Sequence, residues 1–172
     1  MDNLIPSEGP QRLTVAETDA RVRESLPTSI VTSIRLVTTS LYGENGYEGE
    51  FVSSIEMKPD RPVDAVRATL MVLDAACAPA DHRTLAKAVA EMAMVMKARA
   101  EDGMDTTTRV ALIARNLAEF PGDVALAACK RQMDGYKFFP SWMELRMACQ
   151  IIGGKRLALR AALRKALEAG NG

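Results

Sequence analysis

The sequence predicts an all-α protein, a small helical bundle with a flexible N-terminal lead and a basic C-terminal helix. Aromatic residues make up only 5% of the 172 residues, whereas alanine, leucine, methionine and arginine, which favour helices, are plentiful. From Val63 onward, apolar residues recur every three or four positions, the spacing of one helix face. The hydrophobic share of 48% is enough for a core, and 26% charged residues is ordinary for a globular protein.

The first 62 residues are predicted to form two segments. Residues 1–12, rich in proline, glycine and polar side chains, are expected to be a flexible lead, and residues 13–62 a helical or irregular segment. Thr14 and Glu17 have the spacing of a capping box and begin a short helix that Pro27 ends. Residues 29–43 are β-branched, yet the spacing of their apolar residues favours a helix. Residues 43–62 are predicted to be a long connection, with a short hairpin or strand at residues 51–57 left open.

Residues 63–172 are predicted to form the helical bundle. Asp81 separates the first two helices, Gly103 is placed to end the second, and Pro121 lies in the first turn of the fourth. Gly153 and Gly154 are expected to divide the last two helices. The predicted helical stretches are 63–78, 82–103, 105–120, 121–133, 141–152 and 155–169.

Cysteine usage and hydropathy bear on the compartment. The three cysteines, Cys77, Cys129 and Cys149, are an odd number in apolar helical contexts, which indicates buried free thiols in a reducing compartment. The N-terminus lacks the pattern of a signal peptide, and no run approaches the roughly 20 apolar residues of a membrane span. We therefore expect a cytoplasmic protein with no membrane partner.

Motifs for catalysis, cofactors or metals are not evident. The single histidine, His82, has no metal-ligand spacing around it, and the cysteines lie on separate predicted helices, so no metal site is predicted. The closely set glycines do not match a phosphate-binding loop or a dinucleotide fingerprint, so no cofactor is predicted. Without a nucleophile elbow or a related signature, no catalytic residue is assigned and the chain is not expected to be an enzyme.

Positive charge is concentrated at the C-terminal end. Residues 130–172 hold 9 basic and 3 acidic side chains, against 13 and 19 in residues 1–129, which favours an acidic partner for the end of the chain. Arg156, Arg160 and Arg164 recur every four residues and form a row beside a row of leucines. Two interpretations stay open. The helix docks by its leucines and leaves the arginines in water, or it binds a partner's groove or a phosphate backbone.

The stretch from Gly135 to Met147 is the other candidate for binding. Ser141 and Glu144 have the spacing of a capping box, and Pro140 is placed to pack on Leu145 at the helix entrance. Phe138 and Phe139 are expected to point into the core. Trp142 is not needed for capping and is the best candidate for a surface contact. The predicted partner-binding residues are Tyr136, Lys137, Trp142, Arg146, Lys155, Arg156, Arg160 and Arg164.

The sequence from Asp81 to Gln150 resembles phage helicase loader/inhibitor proteins and related phage replication accessory domains. In those proteins an amphipathic helix leads, after about ten residues, to a "kFPsxxEL" helix start. The matching residues here are Asp123, Val124, Ala127, Ala128, Lys137, Phe139, Pro140, Ser141, Glu144 and Leu145. The segment from Ile113 to Asp123 and the helix before it are similar as well.

This resemblance implies a non-catalytic phage or prophage replication adaptor. Its partner would be a replicative helicase or another replication protein, such as an initiator, which it delivers or restrains at an origin. Two alternatives are a nucleic-acid-binding regulatory protein that uses the basic C-terminal helix, and a structural or assembly component of a phage-like particle. The last alternative implies a homo-oligomer.

Overall fold

The structure is a computed structural model that describes residues 13–43, 46–58, 62–98 and 105–170. The predicted flexible lead, residues 1–12, and the predicted helix end at Gly103 lie outside these residues. Seven helices and two strands occur in the described part of the chain. They are α1 (Val15–Ser25), α2 (Thr28–Val31), β1 (Ile34–Gly43), β2 (Gly46–Met57), α3 (Val63–Ala76), α4 (His82–Val95), α5 (Thr106–Leu117), α6 (Gly122–Gly135) and α7 (Trp142–Gly170).

The prediction of an all-α fold is wrong, because β1 and β2 form an antiparallel hairpin. Their pairing runs from Ile34 opposite Met57 to Gly43 opposite Gly46. The helix-like spacing in residues 29–43 was coincidental, and the β-branched side chains, which pack well on a pleated surface, decided for a strand. The strand left open at residues 51–57 exists and begins earlier, at Gly46.

Two β-bulges bend the hairpin, and both extra residues belong to β2. Ser53 and Glu48 have no opposite residue in the register, so β1 stays regular along its whole length. Gly49 follows the second bulge with a φ of 148°, and Gly46 at the turn has a φ of 99°. Residues other than glycine rarely adopt these backbone conformations, so the two glycines fix where the hairpin turns and bends.

The prediction of helices in residues 14–26 and from Val63 onward is confirmed. At the start of α1, Glu17 N–H donates to Thr14 Oγ1 at 3.3 Å, and Thr14 N–H donates to Glu17 Oε2 at 2.7 Å. Asp81 caps α4 by accepting from Thr84 N–H. The helix α4 ends at Val95, earlier than predicted, and the Val95 side chain is 70% exposed.

Gly153 and Gly154 do not divide the last helix, so the prediction of two separate helices is wrong. The helix α7 is continuous over 29 residues. A Cβ atom at Gly153 would lie 2.8 Å from Val124 Cγ2, and one at Gly154 would lie 3.1 Å from the carbonyl oxygen of Val52. The two glycines are therefore helical positions where α6 and β2 come close to α7.

Two hydrophobic cores share α7. The first core is formed by α4, α5, α6 and the beginning of α7, and all its buried residues lie between Leu85 and Cys149. The second core joins α1, α2, β2 and α3 to the later part of α7, through residues such as Val22, Ile55 and Leu163. Because α7 contributes to both cores, it connects the region of α1, α3 and the hairpin to the bundle of α4, α5 and α6.

Candidate partner-binding surface

Arg156 does not face solvent. Its side chain is 2% exposed, and it donates five hydrogen bonds. The acceptors are the carboxylate of Asp19 on α1, at 2.7 and 2.9 Å, the carboxylate of Asp123 on α6, at 2.9 Å twice, and the carbonyl oxygen of Ala76 on α3, at 2.9 Å. We call these four residues the Arg156 network. It ties three helices to α7.

The charge of Arg156 is held by its partners. Burial acts most strongly and lowers the pKa of the guanidinium, but the hydrogen bonds to Asp123 and Asp19 and their negative charges outweigh it, and the pKa is raised overall. A guanidinium held in this way stays charged, and because its N–H groups already donate to residues of the same chain, few donors are left for a partner. Arg156 is therefore removed from the candidate partner-binding residues.

Arg160 and Arg164 share the carboxylate of Asp74 on α3. Arg160 Nε lies 2.6 Å and Arg164 Nη2 2.9 Å from Asp74 Oδ1. The arginines do line up along α7, as their spacing predicted, but the row faces carboxylates of the same chain. Sequence reasoning missed those carboxylates because Asp19 and Asp74 are 137 and 86 residues away from their partners.

We expect the pairing of Asp74 to appear in the pH dependence of stability. The hydrogen bond from Arg160, together with the charges of Arg160 and Arg164, lowers the pKa of Asp74 in the folded state. Its contribution is therefore present above the unfolded pKa of about 3.9 and is lost as pH falls through the folded pKa. Asp74→Asn should make the free energy of unfolding fall less steeply on acidification below about pH 4. An unchanged slope in urea titrations at pH 2–5 would contradict this role.

The capping box at the corner between α6 and α7 is confirmed. Ser141 N–H donates to Glu144 Oε2 at 2.7 Å, and Glu144 N–H donates to Ser141 Oγ at 3.3 Å. Pro140 is buried and Leu145 is fully buried, at the two positions expected to pack at the helix entrance. The local sequence therefore sets where α7 begins.

The prediction that both phenylalanines point into the core is right for Phe139 and wrong for Phe138. Phe139 is 4% exposed and Phe138 is 45% exposed. Lys97 N–H donates to the carbonyl of Lys137 at 3.1 Å, and Phe139 N–H donates to the carbonyl of Lys97 at 2.8 Å. These bonds form a short parallel bridge. Since successive side chains of extended backbone point to opposite sides, only one of the two rings can enter the core.

The other predicted residues of this stretch divide between core and surface. Tyr136 and Trp142 are half-buried and pack against the first core, and the Trp142 ring centroid lies 6.3 Å from that of Phe120. Lys137 and Arg146 are exposed, and Lys137 Nζ lies 5.6 Å from the centroid of the Phe138 ring. The four predicted residues between positions 136 and 146 thus all belong to the corner between α6 and α7.

Lys155 lies elsewhere. Its exposed side chain borders a small cleft of about 80 Å³ beside α1, together with Asp19 and Leu159. The structure does not bring Lys155, Arg160 or Arg164 together with the corner residues.

Sequence reasoning missed two exposed apolar side chains at this corner. Phe138 is 45% exposed, and Met143 is 59% exposed in the first turn of α7, one helical turn from Arg146. The alternation of extended backbone after α6 was the signal that could have placed Phe138 outside. We call Lys137, Phe138, Met143, Arg146 and the exposed part of Trp142 the corner surface.

The remaining chemistry of the described residues is sparse. Burial raises the pKa of all three thiols, that of Cys129 to about 12, so the thiolate needed for nucleophilic attack is scarce. The prediction that these cysteines are buried and free is confirmed. In the described ranges, no group of three or more histidine, cysteine or acidic side chains is arranged to hold a metal ion.

A cleft of about 530 Å³ lies between α1, α3 and the beginning of α6. Its charged lining residues are Arg21, Asp81 and Asp123. Asp123 is already bound to Arg156, and Asp81 caps α4. The described residues that line the cleft therefore include no nucleophile paired with a base.

Comparison with known proteins adds no relatives. None of the protein families, curated proteins or solved structures searched matches this chain. None of the helices in the described ranges has the length and apolar character needed to span a membrane.

Proposed function

We propose that this chain is a non-catalytic adaptor of phage or prophage DNA replication that binds a replicative helicase through the corner surface. The observation that carries the proposal is the extent of the first core. All of its buried residues lie between Leu85 and Cys149, inside the Asp81–Gln150 segment that resembles the helicase loader/inhibitor proteins. The resemblance therefore covers one packing unit rather than scattered positions.

The corner surface has the composition of a protein-binding site. It combines the exposed apolar side chains of Phe138 and Met143 with the exposed cations of Lys137 and Arg146. Aromatic, methionine and arginine side chains are enriched at protein interfaces, and a few of them carry most of the binding energy. The surface also stands on rigid structure, because the capping box and the Lys97 bridge hold its backbone on both sides.

The nucleic-acid alternative has less support. It relied on the arginine row of α7 as a phosphate-binding stripe. Arg156 is buried in its network, and Arg160 and Arg164 already share Asp74. Binding phosphates with these side chains would first require breaking ion pairs within the chain, which opposes the gain from counterion release.

A matched pair of double variants tests the proposal by affinity for the replicative helicase of the encoding host. Phe138→Ala with Arg146→Glu alters the corner surface, and we expect binding to weaken at least tenfold. Met71→Ala with Arg67→Glu is the control, since it makes the same kinds of change at exposed positions of α3 on the other core. Trp142 is avoided because its ring also packs on the first core.

We expect the control to bind like the wild type and both variants to keep the wild-type melting temperature. The proposal fails if the wild-type chain does not bind the helicase. It also fails if the two double variants lose affinity equally. Binding of the chain to DNA alone, with a steep dependence on salt, would favour the nucleic-acid alternative instead.

A further inference from the structure

Among the described residues, no strand lies beside the outer edge of β1. In the described part of the chain, the only strand beside β1 is β2, and it is β2 that packs along α7. The strand β1 is ten residues long, contains no proline, and has Arg35 as its one charged residue. Natural proteins usually protect such an edge with charges, proline, bulges or a covering element, because its free N–H and C=O groups can pair with another strand.

The regularity of β1 limits how a second strand could pair with it. Both bulges place their extra residue in β2. The N–H and C=O groups of successive β1 residues therefore point alternately toward β2 and toward the outer edge, without interruption. When two copies of β1 pair antiparallel, the N–H and C=O groups of two opposite residues must both point toward the new partner strand or both away from it. A twofold axis can therefore pass through a residue of β1 but not between two residues.

An axis through Thr39 makes the strand complementary to itself. Leu36 then lies opposite Tyr42 of the second copy, and these are the two largest exposed apolar side chains of the strand, at 43% and 71% exposure. Val37 lies opposite Leu41, and Thr39 lies opposite its own copy. Aromatic pairs with aliphatic side chains and threonine pairs are both favourable across antiparallel strands.

Charge is compatible with the same register. Arg35 lies opposite Gly43, so the pairing brings no like charges together, and the whole chain has a formal net charge of zero. An axis through Thr38 would place Arg35 opposite Leu41. An axis through Ser40 would place Leu36 beyond the end of the partner strand at Gly43. The register centred on Thr39 is thus the best of the three central choices.

We propose that β1 is a self-association edge, which pairs antiparallel with β1 of a second copy of this chain about a twofold axis at Thr39. The two hairpins then form one four-stranded antiparallel sheet with β1 strands at its centre. A sheet of this size is more stable than an isolated two-stranded hairpin. The corner surface lies on the first core and takes no part in this pairing.

A cross-linking experiment tests the register. Opposite residues of antiparallel strands have Cα atoms about 4.5–5.5 Å apart, within the range of a disulfide. Thr39→Cys should therefore form a disulfide-linked dimer under mild oxidation, and a reductant should reverse it. Arg35→Cys is the control on the same exposed strand, since the two copies of position 35 would be about 27 Å apart along the sheet. The native cysteines are buried.

The proposal is overturned if position 39 does not cross-link, or if position 35 cross-links as readily. Sedimentation of the full chain tests the same strand pairing without a cross-link. Thr39→Lys and Thr39→Glu each place like charges on the axis and should sediment as monomers, whereas their mixture should form a dimer again. A wild-type chain that stays monomeric at about 0.5 mM, or a mixture that does not associate, would overturn the proposal.

Discussion

Replacing Arg156 with methionine is expected to lower the free energy of unfolding by about 3–5 kcal/mol, the cost of removing one partner from a buried ion pair. Methionine fills much of the same space but leaves two carboxylates and a carbonyl without their donor. Asp19 is 41% exposed and regains water readily, whereas Asp123 is only 13% exposed and does not. Most of the loss should therefore come from Asp123.

The matched control for this variant is Arg164→Met, eight residues further along the same row of α7. Arg164 is 49% exposed and pairs with an exposed carboxylate, so its replacement should cost less than about 1 kcal/mol. Urea unfolding of both variants and the wild type gives the comparison. Equal losses for the two substitutions would contradict a special role for Arg156. Adding Asp123→Leu to Arg156→Met should recover part of the stability, since it removes the uncompensated charge.

Gly122→Ala is expected to destabilise the fold by about 2–3 kcal/mol. This is expected even though alanine is more favourable than glycine in a helix by up to about 1 kcal/mol. A Cβ atom at Gly122 would lie 2.6 Å from the backbone nitrogen of Ala80 and 2.9 Å from Ala80 Cβ. The neighbour is backbone, so it has no rotamer with which to move away. The connection before α4 and the start of α6 would have to separate, which also strains the bond from Gly122 N–H to the carbonyl of Ala78.

The same substitution at the other end of α6 is the control. A Cβ atom at Gly135 would have open space around it, and Gly135 has no positive φ. Gly135→Ala should therefore stabilise the protein slightly, by about 0.4–1 kcal/mol. Thermal and urea unfolding of the two variants should move in opposite directions. A Gly122→Ala protein as stable as the wild type would show that Gly122 and Ala80 do not pack this closely.

Local signals in the sequence predicted most of the helices and their beginnings. The capping boxes at Thr14 and Ser141 specify helix starts through side chains three residues apart, so no distant information is needed. The strand β1 was missed because the helix-like spacing of its apolar residues was weighed above their β-branching. The continuous α7 was missed because distant packing decides it. Gly153 is not a helix end because Val124 on α6 lies against it, and nothing near Gly153 in the sequence reveals that.

The candidate site was predicted in part for the same reason. Spacing along α7 correctly aligned the three arginines, but it carried no information on what the row would face. The carboxylates that bind it come from α1, α3 and α6. At the corner, by contrast, Lys137 and Arg146 are exposed as a binding role requires, and Phe138 joins them because the backbone there is extended.

Hydrogen–deuterium exchange of the full chain with and without the host replicative helicase tests the central claim most directly. That claim is that the chain binds its partner through the corner surface and uses the arginine row of α7 to hold itself together. We predict slower exchange on binding in peptides that cover residues 136–147 and unchanged exchange in residues 156–168. Protection confined to residues 156–168 would contradict the account and restore the arginine row as the binding site.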